Sequence, residues 1–152
     1  MTAAAIAAGE RLAACYGAIG RDRMAGLPIC NPALTVAAVG FRALAGEAFG
    51  VLVTPWCMNL VLLDLPGAPP RPARPAGAVR DYEFPAGTIA FTVTVLKEQE
   101  FGRVDAASLF SPMHEFASQA AAHATALAAL KAVLTPPAPG RRGLLFGRGA
   151  TA

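Results

Sequence analysis

The sequence lacks any uninterrupted apolar run of the ~18–20 residues that a membrane-spanning helix needs. Its longest candidate, residues 89–96, is broken by Thr92 and Thr94. The alanine-rich N-terminus lacks the basic segment of a secretory signal peptide, and Glu10 and Arg11 divide it. We therefore expect a cytoplasmic protein with no membrane insertion.

Cysteine and histidine are scarce, which limits metal chemistry. Cys15, Cys30 and Cys57 are widely spaced and form no C-x-x-C pair, so no zinc or rubredoxin-type site can be built locally. His114 and His123 lie about 2.5 turns apart on a predicted helix, hence on opposite faces. We expect reduced thiols, no metal and no cofactor.

Motifs for catalysis are missing as well. No serine lies in a G-x-S-x-G setting, no phosphate-binding glycine loop occurs, and nothing activates Cys30 or Cys57. Asp81 and Glu83 project from one side of a predicted strand, where solvated charges explain them better than paired acid–base groups. The sequence favours a protein without a catalytic site, and a thiol-dependent redox protein is an alternative.

The net charge of +3 is unevenly distributed. Arginines concentrate in two Pro/Gly-rich regions, as Arg71, Arg74, Arg80, Arg141, Arg142 and Arg148. We interpret these regions as solvated linkers, because no aromatic platform for nucleic-acid bases accompanies the positive charge. No nucleic-acid partner is expected.

The hydrophobic pattern predicts a helix, six short strands and a second helix. The predicted ranges are a helix over 3–20, strands over 34–42, 49–54, 59–65, 79–84, 89–96 and 106–110, and a helix over 112–134. Ser111 is the expected cap of the last helix, with Pro112 at its first position. Its expected apolar stripe is Met113, Phe116, Ala120, His123, Leu127, Leu130 and Leu134. A histidine in that stripe is most simply a hydrogen-bonded core or edge residue.

These elements predict an α+β fold. Strands that follow one another through short loops pair antiparallel, so we expect a two-layer sandwich. Its mainly antiparallel sheet of five to six strands carries the N-terminal and C-terminal helices on one face. Residues 1–135 form a single domain, within which 66–77 is a mobile, extended proline-rich loop. Residues 136–152 are expected to be a flexible Pro/Gly/Arg tail.

The stretch TPWCMN, residues 54–59, interrupts the strand pattern with the chain's only tryptophan. Pro55 cannot donate to a strand ladder, so the sheet is interrupted or at an edge there. Adaptable Trp56 and Met58 beside such an edge are typical of protein-binding surfaces. The alternative is that both belong to the core, with Trp56 covering one end of the sheet.

Four stretches of the chain resemble the nickel–iron hydrogenase assembly chaperones of the HybE/HupJ type: 23–41, 50–63, 82–93 and 108–130. TPW-x-MNL and SLFSPM-x-EF are the most specific strings, and the match covers most of residues 20–131 in order. Position 57, usually aromatic in the family, is cysteine here. The resemblance implies a small cytoplasmic accessory protein that is not an enzyme and has an α+β sandwich fold.

The resemblance also implies partners. It predicts binding of hydrogenase precursor subunits before cofactor completion and export, chiefly the small subunit with its twin-arginine signal peptide, and also the large subunit. The implied contacts are Trp56, Met58, Phe110 and Met113 for an apolar segment, with Asp81, Glu83, Glu98 and Glu100 for arginines. Asn59 either satisfies a backbone group of the bound peptide or closes its own turn.

Two further interpretations stay open. A non-catalytic interaction module would use the same apolar rim to self-associate, so a homodimer is an alternative. The stretch GRRGLLFGRG, residues 140–149, itself resembles a twin-arginine motif. It is either a mimic that occupies the binding surface or a disordered basic tail.

Overall fold

Six strands form one antiparallel sheet with a helix on each face. The computed structural model describes residues 2–138, so most of the expected tail, including 140–149, lies outside the described residues. The elements are α1 (Thr2–Ile19), β1 (Ala37–Leu44), β2 (Glu47–Val53), β3 (Met58–Asp64), β4 (Val79–Phe84), β5 (Gly87–Leu96), β6 (Gly102–Phe110) and α2 (Gln119–Leu134). The sheet order is β1-β2-β3-β6-β5-β4, and every pair is antiparallel. The expected α+β class with terminal helices is confirmed.

The N-terminal helix buries one stripe of small and apolar residues. Its buried positions include Ala5, Ala8, Leu12, Cys15 and Ile19, which recur at intervals of three and four residues. A five-residue π-helical segment, Gly20–Met24, continues α1 with wider turns. Within residues 2–138, no helix combines the length and apolarity that crossing a bilayer requires.

The two helices lie on opposite faces of the sheet, so the expectation of both on one face is wrong. In β2, Phe49, Val51 and Val53 pack with the core under α2, whereas Ala48 and Leu52 pack with the core under α1. Every residue of β2 is buried. Because side chains alternate along a strand, a strand buried throughout needs cover on both sides. The molecule therefore has three layers.

A β-bulge in β1 directs apolar side chains to both cores. Gly40 and Phe41 together lie opposite Gly50, and Gly40 adopts φ 67°, a left-handed conformation that glycine tolerates. The extra residue leaves Val39 in the α2-side core and Phe41 in the α1-side core. The Phe41 ring then fills the space above Gly9 of α1, where a Cβ atom would lie 2.5 Å from it.

The second helix begins later than predicted. It starts at Gln119, and Ser118 is its N-cap, with the hydroxyl accepting a hydrogen bond from Ala121 N at 3.1 Å. Ser111 satisfies the same cap rule in sequence but lies in a bend. The predicted start at residue 112 is therefore wrong.

A tertiary contact explains the late start. The Asn31 amide donates hydrogen bonds to Met113 O at 2.9 Å and to Phe116 O at 2.8 Å. In a continuous helix these carbonyls would instead accept from backbone N–H groups four residues later. Asn31 thus holds residues 113–116 in a non-helical turn.

The predicted stripe of the second helix is confirmed at Leu130 but wrong at most of its other helical positions. The buried face of α2 consists of Ala122, Ala126 and Leu130, whereas Leu127 is 45% exposed and His123 is exposed. The predicted stripe starts at Met113 and Phe116, which precede the helix. Helical spacing counted from these two residues therefore does not identify the buried face of α2.

The chain between β3 and β4 forms no helix or strand over residues 66–77, as expected for a loop. The expectation that its arginines are solvated is wrong for Arg71, whose side chain is only 7% exposed and pairs with Glu47 at 3.0 Å. Arg80 of β4 pairs with the same carboxylate. The last strand, predicted over 106–110, begins earlier, since β6 starts at Gly102.

The Phe41 contact gives a test of the packing between α1 and the sheet. Gly9→Ala should destabilise the protein by about 1–3 kcal/mol in urea unfolding, because the new methyl group meets the Phe41 ring. Gly17→Ala is the matched control, because Gly17 also lies inside α1 but a Cβ atom added there would lie 3.6 Å from the Arg21 side chain, an ordinary contact distance. The control should gain up to ~1 kcal/mol from helix propensity. Equal effects at the two positions would contradict the packing.

Candidate functional site

A groove of about 840 Å³ opens at one end of the sheet. One wall is the end of α1 with the π-helical segment, and another is the connection 25–36. Pro55 and Trp56 of the β2–β3 loop and Gln99 of the β5–β6 connection complete it. Most of the lining side chains are apolar or small, so the groove suits an apolar ligand.

Trp56 forms part of this groove and is half-buried. Its ring stacks on Tyr16 of α1, with ring centroids 6.3 Å apart and planes at 24°. Gly20 lies beneath the ring, and a Cβ at that position would stand 3.5 Å from Trp56. A methyl group there would make an ordinary van der Waals contact, so the indole lies close to the helix end without requiring a glycine at this position.

Thr54 holds the loop that presents Trp56. The Thr54 hydroxyl accepts hydrogen bonds from Trp56 N at 3.1 Å and Cys57 N at 2.9 Å. Thr54 N donates to Cys57 O at 2.8 Å. These hydrogen bonds hold the loop closed without any contribution from the Trp56 side chain. The indole can therefore face the groove at a position where a simple hairpin would have a polar turn residue.

Asn31 connects three segments at the base of the groove. Its backbone N–H donates to Pro55 O at 2.8 Å, and its amide donates to the carbonyls of Met113 and Phe116. The amide oxygen accepts from Ala33 N at 3.0 Å. One buried residue thereby fixes the 25–36 connection, through its backbone against the Trp56 loop and through its side chain against the turn before α2.

The β5–β6 connection is attached to the same end of α1. Arg23 of the π-helical segment pairs with Glu98 at 2.7 Å, and the Cys15 thiol donates to Glu98 O at 3.3 Å. Gln99, next in the chain, lines the groove. The exposed ion pair contributes at most about 1 kcal/mol, so this wall is held mainly by packing and by the buried thiol contact.

The groove has an exposed apolar rim. Leu27 lines it with 44% of its surface exposed, and Ile29 is 41% exposed two residues later. The π-helical segment at the opposite wall is an uncommon element that is often found at functional sites. Exposed apolar groups beside a large cleft are typical of surfaces that bind another protein.

Of the apolar residues predicted to bind a partner, the structure places only Trp56 in the groove. Met58 and Met113 are both 0% exposed and lie in the core under α2, so their placement at a surface rim is wrong. Phe110 pairs with Met58 across β3 and β6 and is half-buried edge-on against Phe116. Met58, Phe110 and Met113 do come together, but on the other face of the sheet from Trp56.

The predicted polar contacts lie away from the groove. Asp81 and Glu83 are on β4, the edge strand farthest from β1, and Glu83 accepts a hydrogen bond from Thr88. They are therefore not the carboxylates beside Trp56. Asn59 lies in β3 and is half-buried, and its amide contacts Cys57 Sγ in the preceding loop at 3.7 Å. Glu98 and Glu100 flank Gln99 and so lie next to the groove.

Burial is the main cause of the pKa shifts of two ionisable groups near Trp56. It raises the pKa of the Cys57 thiol, an effect that the Thr54 hydrogen bond opposes, and raises the pKa of Tyr16 to about 12. An activated nucleophilic thiol needs the opposite shift. Across residues 2–138, no three His, Cys, Asp or Glu side chains are grouped to hold a metal ion.

Sequence reasoning missed the segment that forms much of the groove. Gly26, Pro28 and Pro32 indicate the end of a helix, and Leu27 and Ile29 stand between them. Two large aliphatic side chains in a Gly/Pro-rich connection are the signal that could have indicated an exposed apolar surface. The role of Asn31 had no local signal, because its partners lie 82 and 85 residues away.

Together, the fold and the site define a small α+β protein with a helix on each face of one antiparallel sheet and an open apolar groove at its end. The family model described as NiFe-hydrogenase assembly, chaperone, HybE matches residues 7–147. The chain therefore belongs to the HybE family of nickel–iron hydrogenase assembly chaperones.

Individual relatives agree with this assignment. The chain is 47% identical to the hydrogenase expression/formation protein HupJ of Bradyrhizobium diazoefficiens over 87% of this chain and 75% of that protein. It is 42% identical to HupT of Azotobacter chroococcum over 91% and 93%. The solution structure of HybE from Escherichia coli is similar with a TM-score of 0.68 at 27% identity, covering 93% of this chain and 90% of that one.

The position of Asn31 leads to a stability prediction. Asn31→Ala should lower the free energy of unfolding by roughly 2–4 kcal/mol, because the carbonyl of Phe116 loses the Asn31 donor and that of Met113 keeps only the Phe116 N–H. Gln119→Ala is the control, since it removes two solvent-exposed hydrogen bonds to Thr35 and should cost less than about 1 kcal/mol. Chemical denaturation measures both, and equal losses would contradict the connecting role of Asn31.

Burial also predicts an order of thiol reactivity. Cys30 and Cys57 are both half-buried, but burial raises the pKa of Cys57, so iodoacetamide at neutral pH should modify Cys57 more slowly than Cys30. The Cys57 rate should increase as pH rises towards its raised pKa, since only the thiolate reacts. Peptide mapping by mass spectrometry gives the rates, and the unfolded protein should show no such order. Faster reaction at Cys57 near pH 7 would instead support the thiol-dependent alternative.

Proposed function

We propose that this chaperone binds the precursor of the hydrogenase small subunit and holds the apolar segment of its twin-arginine signal peptide in the Trp56 groove. The binding takes place in the cytoplasm, before the cofactors are complete and the subunit is exported. No catalytic step is part of this function. The observation that carries the proposal is the open apolar groove with Trp56 and Leu27 at its surface.

The physical argument starts from the cost of the groove. Exposed apolar surface of this kind is unfavourable in water unless a partner covers it. An apolar peptide segment is such a partner, and it would bury Leu27 and the free side of Trp56. Tryptophan is among the residues that contribute most to binding when it sits in a well-packed pocket.

The two arginines of the peptide require carboxylates beside the groove. Glu100 and Asp22 are exposed near its walls, whereas Glu98 is already paired with Arg23. Arg21 also lines the groove and opposes a second positive charge close to it. We therefore place the arginine pair towards Glu100, because Asp22 lies between Arg21 and Arg23 in the π-helical segment.

A titration with a synthetic signal peptide tests this proposal. The labelled peptide contains two arginines followed by an apolar segment, and its fluorescence anisotropy reports binding. Trp56→Ala should weaken affinity by about 30-fold, or roughly 2 kcal/mol, because the apolar segment loses its main contact. Leu127→Ala is the control, since Leu127 is similarly exposed but lies on α2; it should bind like the unaltered protein.

A second readout separates loss of binding from loss of folding. Bound peptide should protect Cys30, which lines the groove, from alkylation in the folded protein. Trp56→Ala should remove that protection while the thermal transition stays cooperative. Unchanged affinity in Trp56→Ala, or an equal loss in Leu127→Ala, would overturn the proposed groove. Sedimentation of the free protein shows whether self-association covers the same surface instead.

A further inference from the structure

The sheet ends in two edge strands, β1 and β4, which differ in regularity. β1 carries the bulge at Gly40, which interrupts its ladder, and bulges of this kind block the addition of another strand at an edge. β4 pairs with β5 in unbroken register over Val79–Phe84 and contains no proline. Of these two edges, β4 is therefore the one to which a further strand can add.

The outer side of β4 has backbone groups without a partner. Ala78 O accepts a hydrogen bond from Val93 N of β5 at 2.9 Å, so the backbone groups of Ala78 face β5. Because these groups alternate between the two sides of an antiparallel strand, those of Val79, Asp81 and Glu83 point away from the sheet. No other segment in the described part of the chain bonds to them. The edge thus presents a row of N–H groups and carbonyls to one further strand.

The exposed side of this edge is acidic. Asp81 and Glu83 project from the same side of β4, and neither forms an ion pair within the described residues. Arg80 does not offset them, because its guanidinium lies on the other side of the strand with Glu47. The β5 residues paired with the two acids are an alanine and a threonine. A strand with positive side chains is therefore complementary to this edge.

A second copy of the chain is poorly suited to the β4 edge. Antiparallel pairing of two β4 strands about Asp81 would place Asp81 opposite Asp81, and a shift by two residues would place it opposite Glu83. Like charges that lie directly opposite one another destabilise a strand pair. The acidic side chains therefore disfavour pairing of β4 with itself.

The end of α2 lies beside this edge. Ala86, in the turn that joins β4 to β5, donates its N–H to Val133 O of α2 at 3.1 Å. Because α2 ends at Leu134, the chain leaves the helix next to that turn. β4 runs towards the turn, so a segment that continues from the helix along β4 runs antiparallel to it. Every other pair in the sheet has the same arrangement.

The chain beyond Ala138 has the charge and the length to cover β4. Residues 139–152 contain Arg141, Arg142 and Arg148 and no acidic residue. In extended form these residues reach about 45 Å, whereas β4 spans about 20 Å. The apolar stretch LLF follows the arginine pair directly.

We propose that residues 140–149 add to β4 as an antiparallel seventh strand of the sheet. Since side chains alternate along a strand, one member of the arginine pair faces the side of Asp81 and Glu83 in any register. The apolar residues that follow reach the part of β4 where Val79 is 62% exposed. The edge is separate from the Trp56 groove, so this proposal does not depend on the function proposed for the groove.

Amide hydrogen exchange of the full chain, followed residue by residue by NMR, tests the added strand. The outer amides of Val79, Asp81 and Glu83 should exchange within about tenfold of the rates of Arg80 and Tyr82, whose backbone groups face β5. NOEs between β4 and the tail should identify the tail as the new neighbour. The rates should be independent of protein concentration, because the contact is intramolecular.

Charge reversal in the tail provides the variant. Arg141→Glu with Arg142→Glu should speed exchange at the outer β4 amides by about tenfold or more, because like charges then lie on neighbouring strands. Adding Asp81→Arg and Glu83→Arg to this variant should restore slow exchange, since opposite charges face one another again. All four positions are outside the hydrophobic cores, so the variants should fold.

The matched control is Arg42→Glu with Arg74→Glu, the same change in charge at two exposed arginines on β1 and the proline-rich loop. It should leave exchange at β4 unchanged. Fast exchange at the outer amides of the unaltered chain would overturn the proposal, including the case in which protection requires a separate arginine-containing peptide. Slow exchange that survives the tail reversal, or that requires high protein concentration, would assign the edge to another occupant and exclude the tail.

Discussion

Burial of both faces of the β2–β3 pair is the constraint on which the rest of the structure depends. Every residue of β2 is buried, so apolar side chains leave the sheet in both directions and each face needs a cover. α1 supplies one cover and α2 the other. The sheet also carries buried carboxylates at Glu47 and Asp105, and the proline-rich loop brings Arg71 to neutralise them.

The groove follows from the same arrangement. The chain leaves α1 on one face and crosses the end of the sheet before β1, where Leu34 already packs in the core of the other face. Asn31 fixes this connection against the turn before α2. Because the connection is held there, it leaves the end of α1 open to the groove. The resulting apolar surface is a liability for an isolated protein but is useful to a chaperone whose clients are unfinished.

Local patterns were sufficient to predict the strands and their antiparallel class, because strand alternation and turn residues act over neighbouring positions, whereas the pairing of β3 with β6 joins segments that are distant in the chain. The predicted strand 89–96 lies within β5, which pairs with β4 through a short turn. The same reasoning failed at α2, since Ser111 and Ser118 both satisfy the cap rule. The choice between them is made by Asn31, which is distant in sequence and close in space.

The sequence by itself determined the order of the elements, the antiparallel class and the family, since each depends on strings of neighbouring residues. Only the tertiary structure decided which apolar side chains are available to a partner. Trp56 and Met58 would share a face in a regular strand, but the Thr54 loop breaks the two-residue period. Trp56 therefore faces the groove and Met58 the opposite core. Burial and ion pairing, as at Arg71, depend on what other segments bring to the same space, and no pattern within one segment contains that information.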